Sequence, residues 1–144
     1  MKTKLCALTF FSAASLALSA TIPAGTPLIA LTTDPISTHE RVGATFNAQL
    51  ESDVVVGGKA MLRAGTPVIG VVEGSLRPPN SKGAVIVNLK SVGVNGHQVR
   101  VHTAGAYRLK PRFSTHRGVT VSGRETNYPH RTRIGFHLAQ PLSF

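Results

Sequence analysis

Six histidines, six carboxylates and one cysteine are the residues of this chain that could do chemistry. His97 and His102 are five apart, and His130 and His137 seven apart, so each pair falls on opposite faces of an extended segment. No His-x-His, His-Glu-x-x-His or Cys/His cluster is present; His39-Glu40 runs on to Arg41-Val42-Gly43 without a second histidine. No Gly-x-Ser-x-Gly nucleophile turn occurs, and Asp34, Glu40, Glu51, Asp53, Glu73 and Glu125 show no pairing suited to acid–base work. Gly57-Gly58 lacks a phosphate-loop context, because Lys59 is followed by Ala60. Surface and turn histidines, no metal and no cofactor are therefore the expectation. The sequence points to a binding or scaffolding protein and away from an enzyme. An envelope hydrolase whose histidine and acid meet only in the fold is the alternative.

The one constellation above background is basic. In Tyr107-Arg108-Leu109-Lys110-Pro111-Arg112-Phe113, alternation places Arg108, Lys110 and Arg112 on one face and Tyr107, Leu109, Pro111 and Phe113 on the other. Arg117, Arg124, Arg131 and Arg133 follow. Arg108, Lys110, Arg112, Arg117, Arg131 and Arg133 are the candidate anion- or partner-binding residues. Interleaved aromatics can serve nucleic acid, but these face the other way, toward a core.

Bulk charge agrees. The chain carries 16 Lys and Arg against 6 Asp and Glu, a formal +10. Residues 21–73 hold three cations and five acids, a net −2, whereas 74–144 hold eleven cations and Glu125 alone, a net +10. An anionic partner for the second half follows.

Lys2 and Lys4 precede an uncharged apolar run from Leu5 to Leu18, with small residues at Ser19-Ala20. This reads as a signal peptide over residues 1–20. The run is short for a membrane helix, which takes roughly 20 residues. Cleavage removes Cys6 and with it every thiol. An exported protein meets lipid phosphates, lipopolysaccharide, wall polymers or an acidic envelope protein before it meets nucleic acid. The expected location is periplasmic or outer-membrane-associated.

The elements that must position these residues are strands. One phrase occurs three times: Ile22-Pro23-Ala24-Gly25-Thr26-Pro27, Leu62-Arg63-Ala64-Gly65-Thr66-Pro67 and the degraded Tyr128-Pro129-His130-Arg131-Thr132-Arg133. Gly25-Thr26-Pro27 and Gly65-Thr66-Pro67 are turns that deliver strands. The first and third copies align without a gap through Asp34-Pro35-Ile36-Ser37 and Gln140-Pro141-Leu142-Ser143. Strict alternation marks Ala44–Glu51 as a half-buried strand, and Val54–Val56 pairs back through Gly57-Gly58. Val68–Glu73 is apolar enough for burial on both faces. Residues 74–83, with Pro78-Pro79, predict a long loop. Ala84–Val92 and His97–His102 form a hairpin around Asn95-Gly96, which suits a type I′ turn. A short strand is expected at Val119-Thr120-Val121. Thr132–Phe144 is expected as one closing strand, with Ile134, Phe136, Leu138, Leu142 and Phe144 on one face. No helix is expected after the signal. The fold class is all-β, a small distorted barrel or sandwich, in one domain over residues 21–144.

The Pro-x-Gly-Thr units, with Ala44-Thr45-Phe46-Asn47-Ala48, Val54-Val55-Val56-Gly57-Gly58 and Leu62–Gly70, resemble the β-barrel domain of the TrbI-like family over roughly residues 22–95. Those proteins are scaffolds of conjugal transfer and type IV secretion channels. The resemblance implies a distorted barrel, an envelope partner and a ring-forming homo-oligomer. This chain lacks the family's cytoplasmic tail, inner-membrane helix and proline-rich linker, and no long helical insertion is visible. A small stand-alone envelope domain is the form expected. Phe144 with alternate apolar residues behind it also fits the closing strand of an outer-membrane barrel, which is the remaining alternative, although Pro141 interrupts it.

Overall fold

The computed structural model describes residues 19–76, 83–109, 120–122 and 125–144, with the side chains of 120–126 excepted. Fourteen strands follow one another among them: β1 (Thr21–Ile22), β2 (Pro27–Thr32), β3 (Ile36–Ser37), β4 (Thr45–Leu50), β5 (Val54–Val56), β6 (Lys59–Leu62), β7 (Pro67–Leu76), β8 (Ala84–Val94), β9 (His97–Arg100), β10 (Tyr107–Leu109), β11 (Thr120–Ser122), β12 (Glu125–Tyr128), β13 (Arg133–His137) and β14 (Leu142–Ser143). There is no helix among the described residues. The main sheet runs β10-β8-β7-β4-β2-β13, all antiparallel, with β9 alongside β8. It curls so that its two ends meet. Thr103 bridges Leu138 just past β13, and the Tyr107 ring lies edge-on to Phe136 at 6.3 Å. Asn88 of β8 secures this closure by accepting from the Thr103 hydroxyl and donating to Glu73 at 2.8 Å. The result is a partly closed, distorted barrel.

Four turns hold the strands in register, and they share one hydrogen-bond pattern. In Pro23–Thr26, Arg41–Ala44, Arg63–Thr66 and Pro129–Thr132, the third residue has positive φ: Gly25 +82°, Gly43 +90°, Gly65 +83° and Arg131 +64°. That residue donates its N–H to a neighbouring strand, at or just past its end in three turns and inside β7, at Val72, in the fourth, and the strand donates back to the carbonyl of the fourth residue. Gly25 and Thr26 grip Leu138 (2.6 and 3.0 Å), and Arg131 and Thr132 grip Thr32 (2.5 and 3.0 Å). Gly65 and Thr66 grip Leu50 (2.8 and 2.9 Å), and Gly43 and Ala44 grip Val72 (2.7 and 2.8 Å). The turn before β2 thus clasps the end of β13, and the turn before β13 clasps the end of β2. The turn before β7 clasps the end of β4, and the turn before β4 clasps β7 at Val72. In three of the four, the threonine hydroxyl donates back to the first residue's carbonyl: Thr26 to Pro23 (2.7 Å), Thr66 to Arg63 (2.6 Å) and Thr132 to Pro129 (2.6 Å).

The gapless alignment of the first and third copies has a spatial counterpart. β1 pairs with β14 (Ile22 with Leu142) and β12 pairs with β3 (Tyr128 with Ile36), while β2 pairs with β13 about the Ile29–Gly135 position. Residues 21–37 and 127–143 therefore interlock about a local two-fold axis. Ile22, Leu28, Ala30, Thr32 and Ile36 from one copy, and Tyr128, Ile134, Phe136, Leu138 and Leu142 from the other, are all buried. Period-two alternation sends these inward. Leu50, Val68, Val72, Val85, Val87 and Val92 are among the residues that join them in the core. Phe46 lies flat over Gly70, its cross-strand partner, where an added Cβ would collide with the ring.

Several expectations change. β7 extends to Leu76 because Gly74, Ser75 and Leu76 pair with Ile86, Val85 and Ala84, so the loop does not begin at Gly74; residues 77–82, including Pro78-Pro79, lie outside the described residues. β7 buries one face, at Val68 and Val72, while Ile69 and Val71 are half-buried. The closing segment is two strands, split at Ala139–Pro141: β13 joins the main sheet and β14 returns to β1. Asn95 (+49°) and Gly96 (+78°) turn the β8–β9 hairpin with both φ values positive, as a type I′ turn requires. The outward positions of β4 and β13 are Thr45, Asn47, Gln49, Arg133, Gly135 and His137, and their inward ones are apolar. On β2 and β7 the outward positions are instead largely apolar, with the half-buried Ile29, Leu31, Ile69 and Val71.

Tyr128 closes one end of the core. Its hydroxyl donates to Leu109 O at 2.8 Å and approaches Gly83 O at 3.4 Å, and burial pushes its pKa from 10.0 up to about 12.

Two measurements follow. Gly65→Ala should lower stability by ~1–2 kcal/mol, because a Cβ is disfavoured at positive φ, whereas Arg131→Gly should raise it by ~0.5–1 kcal/mol once glycine's extra unfolded-chain entropy is subtracted; urea unfolding of the two variants checks the opposite signs. Tyr128 keeps its proton longer when folded, so its linkage leaves stability flat below pH 10.0 and removes it as the pH rises to about 12. Tyr128→Phe should abolish that component of the alkaline slope and cost about 1 kcal/mol at neutral pH by removing a buried hydrogen bond.

Candidate functional site

The basic residues fall into three placements. Arg108 is exposed in the middle of β10, opposite Ile86, between the half-buried Tyr107 and the buried Leu109. Arg131 is exposed at the positive-φ position of the turn that clasps Thr32, so its backbone is structural whatever its guanidinium does. Arg133 opens β13 and its Nε donates to Glu51 Oε2 at 2.6 Å, with side chains 63% and 32% exposed. Glu51 follows β4, so this pair spans the width of β2. Its exposure limits it to roughly 0–1 kcal/mol. Lys110, Arg112 and Arg117 lie outside the described residues.

The carboxylates are tied into local structure. Asp34 Oδ2 accepts from the Asn47 backbone and side-chain N–H groups, both at 2.9 Å, joining the end of β2 to β4. Asp53 Oδ1 accepts the Ala64 N–H at 2.7 Å and so anchors the turn before β7. Glu73, a bulge residue of β7, accepts from Asn88, and Glu51 takes Arg133. Four of the six acids thus act as turn and strand fasteners, which turn-residue chemistry could have suggested for Asp34 and Asp53. The Arg133–Glu51 pair spans 82 residues of sequence and left no local signal.

His97, His102, His130 and His137 are exposed. Their strands bring His102 and His137 to neighbouring segments at the barrel closure, where Ala139 N–H donates to His102 O and Ala104 N–H to His137 O. Those contacts are backbone ones. No group of three or more His, Cys, Asp or Glu able to hold a metal occurs among the described residues. No helix among them is long and apolar enough to cross a membrane. What the surface offers chemically is backbone edges, hydrogen-bonding side chains and guanidinium groups. These can bind an extended chain or an anionic group.

Neither protein families nor curated proteins yield a match to the sequence: no family model matches, and no curated protein does. Among solved structures, the fold is similar to that of ComB10 of the Com type IV secretion system of Helicobacter pylori, with a TM-score of 0.52 at 13% identity, covering 84% of this chain and 88% of that chain. The match covers more of the chain than the stretch on which the sequence resemblance rested. At that identity it is a likeness of fold, and the fold expected from the resemblance to the TrbI-like barrel is the one found.

Proposed function

We propose that the protein is an exported, non-catalytic envelope domain that binds or scaffolds other proteins, as an accessory of a secretion, conjugation or cell-surface assembly. The observation that carries this reading is the fold likeness to ComB10, a component of a type IV secretion system. The deployment of the acids supports it: Asp34, Glu51, Asp53 and Glu73 fasten turns and strands. In this reading residues 1–20 are a cleaved signal, the mature chain works in the periplasm or at the outer membrane, and it can assemble with copies of itself. Arg108 and Arg131, with Lys110, Arg112 and Arg117 from the sequence that follows β10, meet an anionic envelope partner. The +10 of residues 74–144 against the −2 of residues 21–73 favours that side of the chain for the contact.

The test is co-sedimentation of the purified mature protein with cell-envelope fractions across a range of salt. The Arg108→Ala/Lys110→Ala/Arg112→Ala variant should bind about tenfold more weakly at low salt and show a shallower salt dependence. Binding unchanged by the triple substitution at every salt concentration would remove the basic face from the reading.

A further inference from the structure

Among the described residues the barrel is paired at one end and unpaired below it. Thr103 bridges Leu138, flanked by the Ala104–His137 and Ala139–His102 hydrogen bonds, 2.8 and 2.7 Å. Beyond that bridge, β10 pairs only with β8 and β13 only with β2. Among the described residues the facing edges of β10 and β13 share no strand pairing. On the inner face the Tyr107 ring lies against Phe136.

Which groups face this seam follows from antiparallel alternation. Leu138 donates its N–H toward the turn before β2, and His137 offers its carbonyl to the opposite side, toward Ala104. The N–H and C=O groups of Gly135 and Arg133 therefore point, like those of His137, away from β2 and toward β10. An edge of this kind is a template for another strand. Gly135 adds an independent indication. It sits mid-strand, exposed, without positive φ, and an added Cβ would meet nothing within 4 Å. Neither packing nor backbone geometry in the barrel calls for glycine there, and glycine within a strand often marks close approach of another backbone.

The charge beside the seam defines the occupant. Arg108 stands on one edge and Arg131 and Arg133 at the head of the other, with Glu51 offsetting Arg133. We infer that the β10–β13 seam receives an extended, acidic segment of a partner protein as an added strand. Its backbone pairs with β13, and its carboxylates meet the arginines. The seam must widen, because an inserted strand needs the flanking edges about 9–10 Å apart. The Thr103–Leu138 bridge is the hinge end, and the Tyr107–Phe136 contact parts. The inference rests on the scaffold reading and names the chemistry of the partner.

The probe is a fluorescein-labelled short peptide of alternating glutamate and valine, titrated with the mature protein and followed by anisotropy. Three controls accompany it: a lysine–valine peptide, the glutamate–valine peptide with N-methylated alternate amides, and the protein variants Arg108→Glu and Gly135→Pro. Saturable binding of the acidic peptide is expected, weakened about tenfold or more by N-methylation, by Gly135→Pro and by Arg108→Glu. Proline at position 135 removes an N–H that faces the seam, so the barrel should still unfold cooperatively; should it not fold, N-methylation asks the same question from the ligand side. Because the chain has no Trp and two Tyr, tyrosine emission should also change as Tyr107 leaves Phe136. Equal binding of the N-methylated or the lysine peptide, or no saturable binding, overturns the inference. Peptide binding lost while envelope co-sedimentation persists removes the seam alone, and loss of both removes the scaffold reading as well.

Discussion

The structure depends on a reciprocal clasp between a turn and the strand beside it. A residue at positive φ aims its N–H sideways, and the neighbouring strand returns a hydrogen bond to the next carbonyl. This satisfies backbone groups that a strand would otherwise leave open in a part-buried position, where each would cost about 1–3 kcal/mol. Because the clasps come in opposed pairs, Gly25 with Arg131 and Gly43 with Gly65, neither strand of a pair can slip without breaking two turns. A slip of one residue would also turn Leu28, Ala30, Ile134 and Phe136 out of the core. Register and burial are therefore fixed by the same eight backbone hydrogen bonds.

With register held this way, the polar residues of the barrel serve its frame. Asp53 holds the turn that presents Gly65, Asp34 joins β2 to β4, and Asn88 ties Thr103 to the closure. This fits a protein whose work is to present edges and charge. The sheet is firm through β7, β4 and β2 and least secured where β10 and β13 face each other, so the surface best able to accept another chain is the one the clasps leave alone. Function in this reading is a consequence of where the hydrogen-bond ladder stops.

Much of this was legible in the residues. Alternation marked Ala44–Glu51, of which Thr45–Leu50 forms β4, the Asn95-Gly96 pair marked its hairpin, and the first and third copies aligned without a gap, although their pairing with each other was not read from that alignment. Other features left weaker signals. Arg131 takes a glycine-like conformation with no glycine to announce it, because the surrounding hydrogen bonds impose it. Arg41-Val42-Gly43-Ala44 performs the same clasp without the repeated phrase, since only the backbone of its third and fourth residues takes part. Gly74 looked like a loop start but continues β7, as its partner Ile86 outweighs intrinsic preference. Of the candidate site, the outward placement of Arg108 was readable from alternation. The Arg133–Glu51 pair and the unpaired seam were not, because both depend on which distant strands become neighbours.

The most direct test of the central claim is native-state hydrogen exchange at the amides of Gly25, Gly43, Gly65 and Arg131. Turn amides of ordinary surface loops exchange by local fraying, with little cost. If the clasps hold the barrel, all four should exchange only through global unfolding, with protection equal to that of the core amides of β4 and β7. Fast exchange of these amides in a barrel whose strand amides stay protected would contradict the account and place register control in side-chain packing alone.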